Sequence, residues 1–363
     1  TVLADAYWET YDPRYARKVI EILRSFRTTL DPAGPSEAFS GLNTAERLEH
    51  WWDAFFKLRT SPDISDDDLI FFVRSIYDNT LNLESVESND NIEASVERSM
   101  FIISILFPEL IRSDSWFDYA RPALVNKMAE TVLDDGFESE MATGYHTNVT
   151  INYGQVYRLA TFNGVELSPE FGPTIENMMT AMLKLAKPNR LVPNPNDSSG
   201  LNYPIAPLPA GAVMFNRPDL KFISGASTVN FAETYLGVFT PQQRQDYIDM
   251  VAEVPAFTSI ALEDSGHYVM RSGWNLADRY LMVELGKWGG GHSHYDTFSV
   301  DLYGHGRSTV VDPGMVNYLA PFASEVRSAR GHNGVLHNGI GGTGALVRDV
   351  HWVTRSSYDY FAG

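Results

Sequence analysis

The 363-residue chain contains no cysteine. Disulfides, thiolate metal sites and a cysteine nucleophile are thereby excluded, while the redox compartment stays open. Long apolar runs are also missing. None approaches the roughly 20 residues that span a bilayer, and the opening Thr1-Val2-Leu3-Ala4-Asp5 lacks the charged and apolar regions of a signal peptide. The first residue is not Met, which suits a processed or trimmed chain. Positive charge is scarce. Lys and Arg number 28 against 46 Asp and Glu, for a formal net charge of −18, and this argues against nucleic acid because phosphate binding needs a basic surface. The deficit is uneven: from His267 onward there are 8 basic and 8 acidic side chains, so the acidic excess lies upstream. A polyanionic substrate would find its cationic contacts in the C-terminal part.

What is present is enough for a sizeable core, since 44% of the residues are hydrophobic and the length allows one large or two ordinary domains. From Tyr15 to about Met250 apolar residues recur at helical spacing, punctuated by Pro, Gly, Asn and Asp. Helices are expected over 14–23, 44–58, 92–106, 116–133, 152–161 and 173–185, with another capped by Ser65. Such a series suggests an α/α toroid over residues 1–254, with its Trp and Tyr as packing between helices. After Pro255 short alternating segments take over, at 266–271, 279–285, 297–303, 308–311 and 350–354. They predict an antiparallel β-sandwich over 255–363 with too few strands to close, as if the chain were truncated there.

Gly289-Gly290-Gly291-His292-Ser293-His294-Tyr295-Asp296 opens an alternating run in which His292, His294, Asp296, Phe298, Val300 and Leu302 share one face of an extended strand. His-x-His there is either a two-point grip on a metal, a metal ligand beside a proton-transfer group, or a half-buried hydrogen-bonded pair. His294, Asp312 and His332 together supply two imidazoles and a carboxylate, a set suited to Zn²⁺ with an open fourth position. Ser88-Asn89-Asp90-Asn91 before the apolar helix reads as a cap, and Asp135 to Asn148 as a glycine-broken connector. The turn-rich loop 191–200 either crosses the mouth of the helical domain or only connects. Asn148-Val149-Thr150 and Asn196-Asp197-Ser198 are sequons, weak signs of a secreted or periplasmic rather than cytoplasmic protein.

Gly291-His292-Ser293-His294-Tyr295-Asp296-Thr297-Phe298-Ser299-Val300, Val311-Asp312-Pro313-Gly314 and Arg327-Ser328-Ala329-Arg330-Gly331-His332-Asn333 resemble the central β-domain signature of the heparinase II/III-like polysaccharide lyases, which include oligoalginate lyases. The resemblance extends through Tyr268 to Trp274, Glu140 to His146, Leu106 to Leu110 and Thr44 to Arg47. It implies an incomplete α/α toroid followed by antiparallel sheets, and β-elimination on a uronate-containing poly- or oligosaccharide. It places Tyr145 and His292 as the acid and base pair, Asn91, with Asn89 as the alternative, as the group that neutralises the uronate carboxylate, and His294, Asp312 and His332 on a zinc that braces the site. Many relatives carry a His after that Asn, where this chain has Ile92. His146 is expected to stand in for it at the substrate, and Arg271 to supply a positive field. A Tyr base would need a cationic neighbour to lower its pKa of about 10. Two other readings compete: a zinc hydrolase using His292, His294 and Asp312, and a catalytically silent carbohydrate-binding relative.

Overall fold

A computed structural model describes residues 2–29, 37–86, 90–199, 205–229, 236, 239–315, 317–336 and 349–362. The chain forms two compact units, Thr1–Lys127 with Leu159–Leu167, and Met128–Arg158 with Ser168–Gly363. The expected boundary at 254/255 falls inside the second unit. Helices that complete it, rather than sheets alone, therefore surround the signature residues.

In the first unit helices α1 (Val2–Thr10), α2 (Pro13–Thr29), α3 (Gly41–Leu58), α4 (Asp66–Leu83) and α5 (Asp90–Leu106) pack in series, with α3 against α1, α4 and α5. Ser65 closes a capping box with Asp68 at the start of α4, satisfying backbone donors that the first turn leaves free. The apolar run in α5 buries Phe101, Ile102 and Ile103, which explains a sequence hydrophobic around most of the helix. Helix α6 (Ser113–Thr131) begins here and ends in the second unit.

In the second unit α8 (Phe171–Leu185) is the apolar centre, with Ile175, Met178, Met179 and Met182 fully buried. Around it lie α9 (Leu208–Met214) and α10 (Pro218–Ser224), with α11 (Pro241–Asp249) against α9. Helix α7 (Thr143–Phe162) starts well before the expected residue 152. Its first turn is held by Ser198: Thr143 Oγ1 and Gly144 N donate to Ser198 Oγ at 3.0 and 3.3 Å. The cap is thus supplied from a distant loop, which local spacing does not reveal.

Strands β1 (Ile260–Leu262), β2 (His267–Arg271), β3 (Tyr280–Glu284), β4 (Val300–Gly304) and β5 (Arg307–Val310) form an antiparallel meander. A second sheet pairs β6 (His351–Thr354) with β7 (Asp359–Ala362). The two meet through Tyr268, whose ring packs on Trp352 and Phe361 with centroids 5.7 and 5.1 Å away. Helical series first and antiparallel sheets second is the order expected from the sequence. Among the described residues no helix is long and apolar enough to cross a membrane.

One expected strand starts late. His292 ends a 3-10 turn (Gly290–His292), and the ladder starts only at Val300. In between, Ser299 N closes a turn on Asp296 O at 2.6 Å and Phe298 takes a φ of 67°, so the alternation from His294 to Val300 is broken, while the 3-10 turn that ends at His292 keeps it from sharing a strand face with His294.

Candidate active site and metal cavity

All of the groups assembled here belong to the second unit. Tyr145, in the first turn of α7, lays its ring on His292 with centroids 3.8 Å apart and planes at 26°. Its hydroxyl bonds Tyr318 OH at 2.8 Å, and Tyr318 OH donates on to Asp197 Oδ2 at 3.1 Å. His292 Nδ1 faces the same Oδ2 at 2.9 Å, with about a quarter of its side chain exposed (26%). Asp197 Oδ1 faces His294 Nε2 at 2.7 Å, and Arg327 Nε lies 4.0 Å from it. Arg327 also donates to the carbonyls of Gly291 and Ser293, which pins the turn that carries both histidines.

Asp197 reaches this position because loop 191–199 is folded against the signature. Asn196 adopts a φ of 58°, a left-handed conformation that Asn tolerates. Its amide spans Met141 O and Glu284 Oε1, and its Oδ1 accepts from His294 N at 2.7 Å. Asn196 is buried and bonded, so its sequon is closed in the folded chain, whereas Asn148 is exposed on α7. Gly314 closes the other side. A Cβ there would stand 2.2 Å from Ser198 O, and its φ of 58° disfavours any side chain.

The electrostatics separate two roles. Burial, helped by Asp197 and Glu140, raises the Tyr145 hydroxyl against the lowering effect of its hydrogen bond with Tyr318 and of the charge of Arg327. The expected cationic activation of Tyr145 therefore does not prevail, and this phenol is held protonated. Burial would also raise Asp197, but hydrogen bonds from His292 and His294 outweigh it and keep that carboxyl well below its ordinary range.

Beside this pair lies a cavity of about 10 Å³ lined by Asn196, Glu284, Gly286, Lys287, Trp288, Ser293, His294, Asp296 and Thr297, room for about one water or ion. His294, Asp296 and His332 offer ligand atoms within 4.8 Å of one another. Three buried atoms of these residues have no hydrogen-bond partner: His294 Nδ1, His332 Nε2 and Asp296 Oδ2. Buried polar atoms are rarely left unpaired, and two imidazole nitrogens with a carboxylate oxygen fit a zinc ion. Asp312 sits one step back: its Oδ2 faces His332 Nδ1 at 2.7 Å and accepts from Ser299 Oγ, while Oδ1 accepts from Gly314 N. Each imidazole of the His294, Asp296 and His332 cluster thus has a carboxylate on its far nitrogen, the arrangement that orients metal-binding histidines.

Two expected substrate contacts are closed. His146 is fully buried, with Nδ1 accepting from Glu138 N at 3.0 Å and Nε2 on Met178 O at 2.9 Å. Neither ring nitrogen is left for a ligand. Arg271 is 2% exposed, donates to the carbonyls of Thr258, Lys184 and Ala186, and stacks on Trp274. It braces β2 against the end of α8 and does not present its charge to substrate. Asn91 stands at the start of α5 in the first unit; its side chain lies outside the described residues. Sequence reasoning passed over Asp197, Tyr318 and Arg327 as functional groups. Arg327 lies within the quoted Arg327–Asn333 stretch and Asp197 within the Asn196-Asp197-Ser198 sequon, but neither context points to this placement, and nothing in the local sequence of Tyr318 signals its own.

Comparison with known proteins settles the relationship. The profile of the family described as Heparinase II/III N-terminus matches residues 1–206, and that of Heparinase II/III-like, C-terminal matches residues 255–357. The chain belongs to the heparinase II/III family. It is 24% identical over 329 residues to a heparin-sulfate lyase of Pedobacter heparinus, covering 87% of this chain and 46% of that protein. A heparin-sulfate lyase of Bacteroides thetaiotaomicron is 20% identical over 249 residues, covering 64% and 34%. The crystal structure of heparinase III superposes with a TM-score of 0.76 at 19% identity, over 91% of this chain and 52% of that one. The chain thus spans about half the length of the relatives it matches.

The core of the second unit also contains a titratable pair that reports on stability. Burial pushes both His146 and His267 down to about 4 from an ordinary value of 6.5. Their rings flank Phe137, each 4.7 Å from it. A histidine whose folded pKa is depressed stabilises the fold fully above pH 6.5 and loses that share as pH falls towards 4. Each is worth about 3 kcal/mol over this window. Glu138, raised to about 8 by burial, runs the opposite way and is common to all variants compared. His267→Phe is therefore expected to flatten the decline in unfolding free energy between pH 6.5 and 4 by about 3 kcal/mol. Denaturant titrations across that range check it, and parallel slopes would refute it.

Proposed function

We propose that this chain carries the catalytic centre of a polysaccharide lyase that opens a uronate-containing poly- or oligosaccharide by β-elimination. The observation that carries this reading is the stacked Tyr145 and His292 pair, with His292 backed by a buried carboxylate and Tyr145 kept protonated. The relatives named as heparin-sulfate lyases support heparan-type uronates as the first substrate class to try.

Elimination removes the proton on C5, moves that electron pair into a C4=C5 double bond, and expels O4, which takes up a proton. His292 is suited to accept the C5 proton: with Nδ1–H on Asp197, its Nε2 lone pair is the available base. Tyr145 is suited to protonate O4, because a phenol raised by burial keeps its hydrogen through neutral pH. Removing the C5 proton also requires the uronate carboxylate to be neutralised. The family resemblance gives that task to Asn91; within the second unit Arg327 is the cation beside the pair. A bound zinc would supply rigidity to the wall that carries His294 and His332. The test is ultraviolet absorbance from the new double bond when heparan-type, chondroitin-type, glucuronan and alginate substrates are added. A rise is expected on at least one uronate polymer, and no rise on any of them by a chain carrying all family segments would overturn the reading.

A further inference from the structure

One buried carboxylate stands between the proton-transfer histidine and the metal cavity. The Asp197 side chain is fully buried, and its two oxygens are shared between two imidazoles: Oδ2 with His292 Nδ1 at 2.9 Å, Oδ1 with His294 Nε2 at 2.7 Å. Its backbone N–H also donates to His292 O at 3.1 Å, so main chain and side chain clasp the same residue. A carboxylate can only accept, so each nitrogen facing it must carry the hydrogen. For His292 this leaves Nε2 as a lone pair for the C5 proton. For His294 it leaves Nδ1 as a lone pair, and Nδ1 is the atom buried without a partner at the cavity. Both tautomers are the ones their tasks require.

We propose that Asp197 is a positioning residue that fixes the tautomers of His292 and His294 together, so that one side chain serves proton transfer and metal binding at once. The His292 half rests on the lyase reading above, whereas the His294 half does not. The chemistry of asparagine provides the test. A carboxamide offers one acceptor and one pair of donors, so Asp197→Asn can satisfy only one imidazole in its present tautomer. With Zn²⁺ on Nδ1, His294 must keep its Nε2 hydrogen and claims the carboxamide oxygen. The amide hydrogens then face His292 Nδ1, which has to give up its own hydrogen, and His292 Nε2 becomes protonated and unable to accept.

The experiment measures Zn²⁺ stoichiometry and affinity, turnover, and ring ¹⁵N shifts of histidine-labelled protein, with His292 signals assigned by their loss in His292→Ala. Asp197→Asn is expected to bind Zn²⁺ with unchanged stoichiometry. Its kcat falls about 10³-fold or more with KM within about threefold, as when a neutral amide imposes the wrong tautomer on a catalytic imidazole. Its His292 ¹⁵N pattern changes from Nδ1-protonated to Nε2-protonated. Asp197→Ala is expected to weaken Zn²⁺ binding about 10- to 100-fold as well. An Asp197→Asn protein with wild-type kcat, or with an unchanged His292 pattern, overturns the proposal. Should the variants not fold, wild-type protein still decides: His292 found protonated on Nε2 alone overturns it. If no substrate is eliminated by wild type, the lyase reading fails, while the ¹⁵N pattern and Zn²⁺ affinity still test Asp197.

Discussion

Tyr145→Phe is expected to lower kcat by about 10³-fold, in the middle of the range for loss of an acid or base group, with little change in KM or melting temperature. The ring packs on His292 and, on the proposed mechanism, the hydroxyl would supply the proton, so deleting only the oxygen keeps the 3.8 Å stack and should remove the chemistry. Tyr318→Phe is the control. It deletes the hydroxyl that Tyr145 bonds and one of the three bonds into Asp197, and a loss of about tenfold is expected because a hydrogen bond to a charged group is worth about 1.5 kcal/mol or more. The pH profile separates two roles for Tyr145. If its anion were the base, turnover would climb tenfold per pH unit towards 10 and beyond, because burial has raised this phenol. If it is the acid, turnover stays level through that range. Steady-state rates from pH 6 to 9.5 with Tyr145→Phe beside wild type check both points, and a Phe variant that retains wild-type turnover would remove Tyr145 from the reaction.

The order of elements was legible because helical spacing and strand alternation are local properties, and Ser65 announced its own cap. The tautomer logic of the site was not, because it depends on Asp197, which is placed by Asn196 in a left-handed turn and by Ser198 capping α7. Alternation also misled at His292 and His294. A period of two in sequence becomes a shared face only where the backbone is extended, and the 3-10 turn that ends at His292 takes it out of any strand. The two histidines are nonetheless joined, through a carboxylate rather than through a strand face. His146 and Arg271 failed as substrate groups for the reason that makes such guesses weak in general: a lone cation or imidazole in an apolar context is more often satisfied inside the core, by carbonyls in both cases here.

Removal of metal is the second large effect. A zinc-loaded chain at a free Zn²⁺ concentration about a thousand times its Kd gains about 4 kcal/mol over the unfolded chain, equivalent to roughly 10 °C in melting temperature for a unit of this size. Chelation is expected to reverse that shift and to reduce turnover as the wall around His292 loosens. The ligand set follows from which atoms are committed elsewhere. Both oxygens of Asp312 are engaged, by Gly314 N on one side and by Ser299 and His332 Nδ1 on the other, whereas Asp296 keeps Oδ2 unpartnered within the cavity. Asp296→Asn should therefore abolish stoichiometric Zn²⁺ binding, and Asp312→Asn should weaken it about 10- to 100-fold by freeing the His332 ring. The reverse ranking, measured by competition with a chromogenic chelator, would return Asp312 to the metal and leave Asp296 as the supporting carboxylate. Melting curves of the two variants with and without Zn²⁺ give an independent reading, since a ligand that binds only the folded state stabilises in proportion to the logarithm of its affinity.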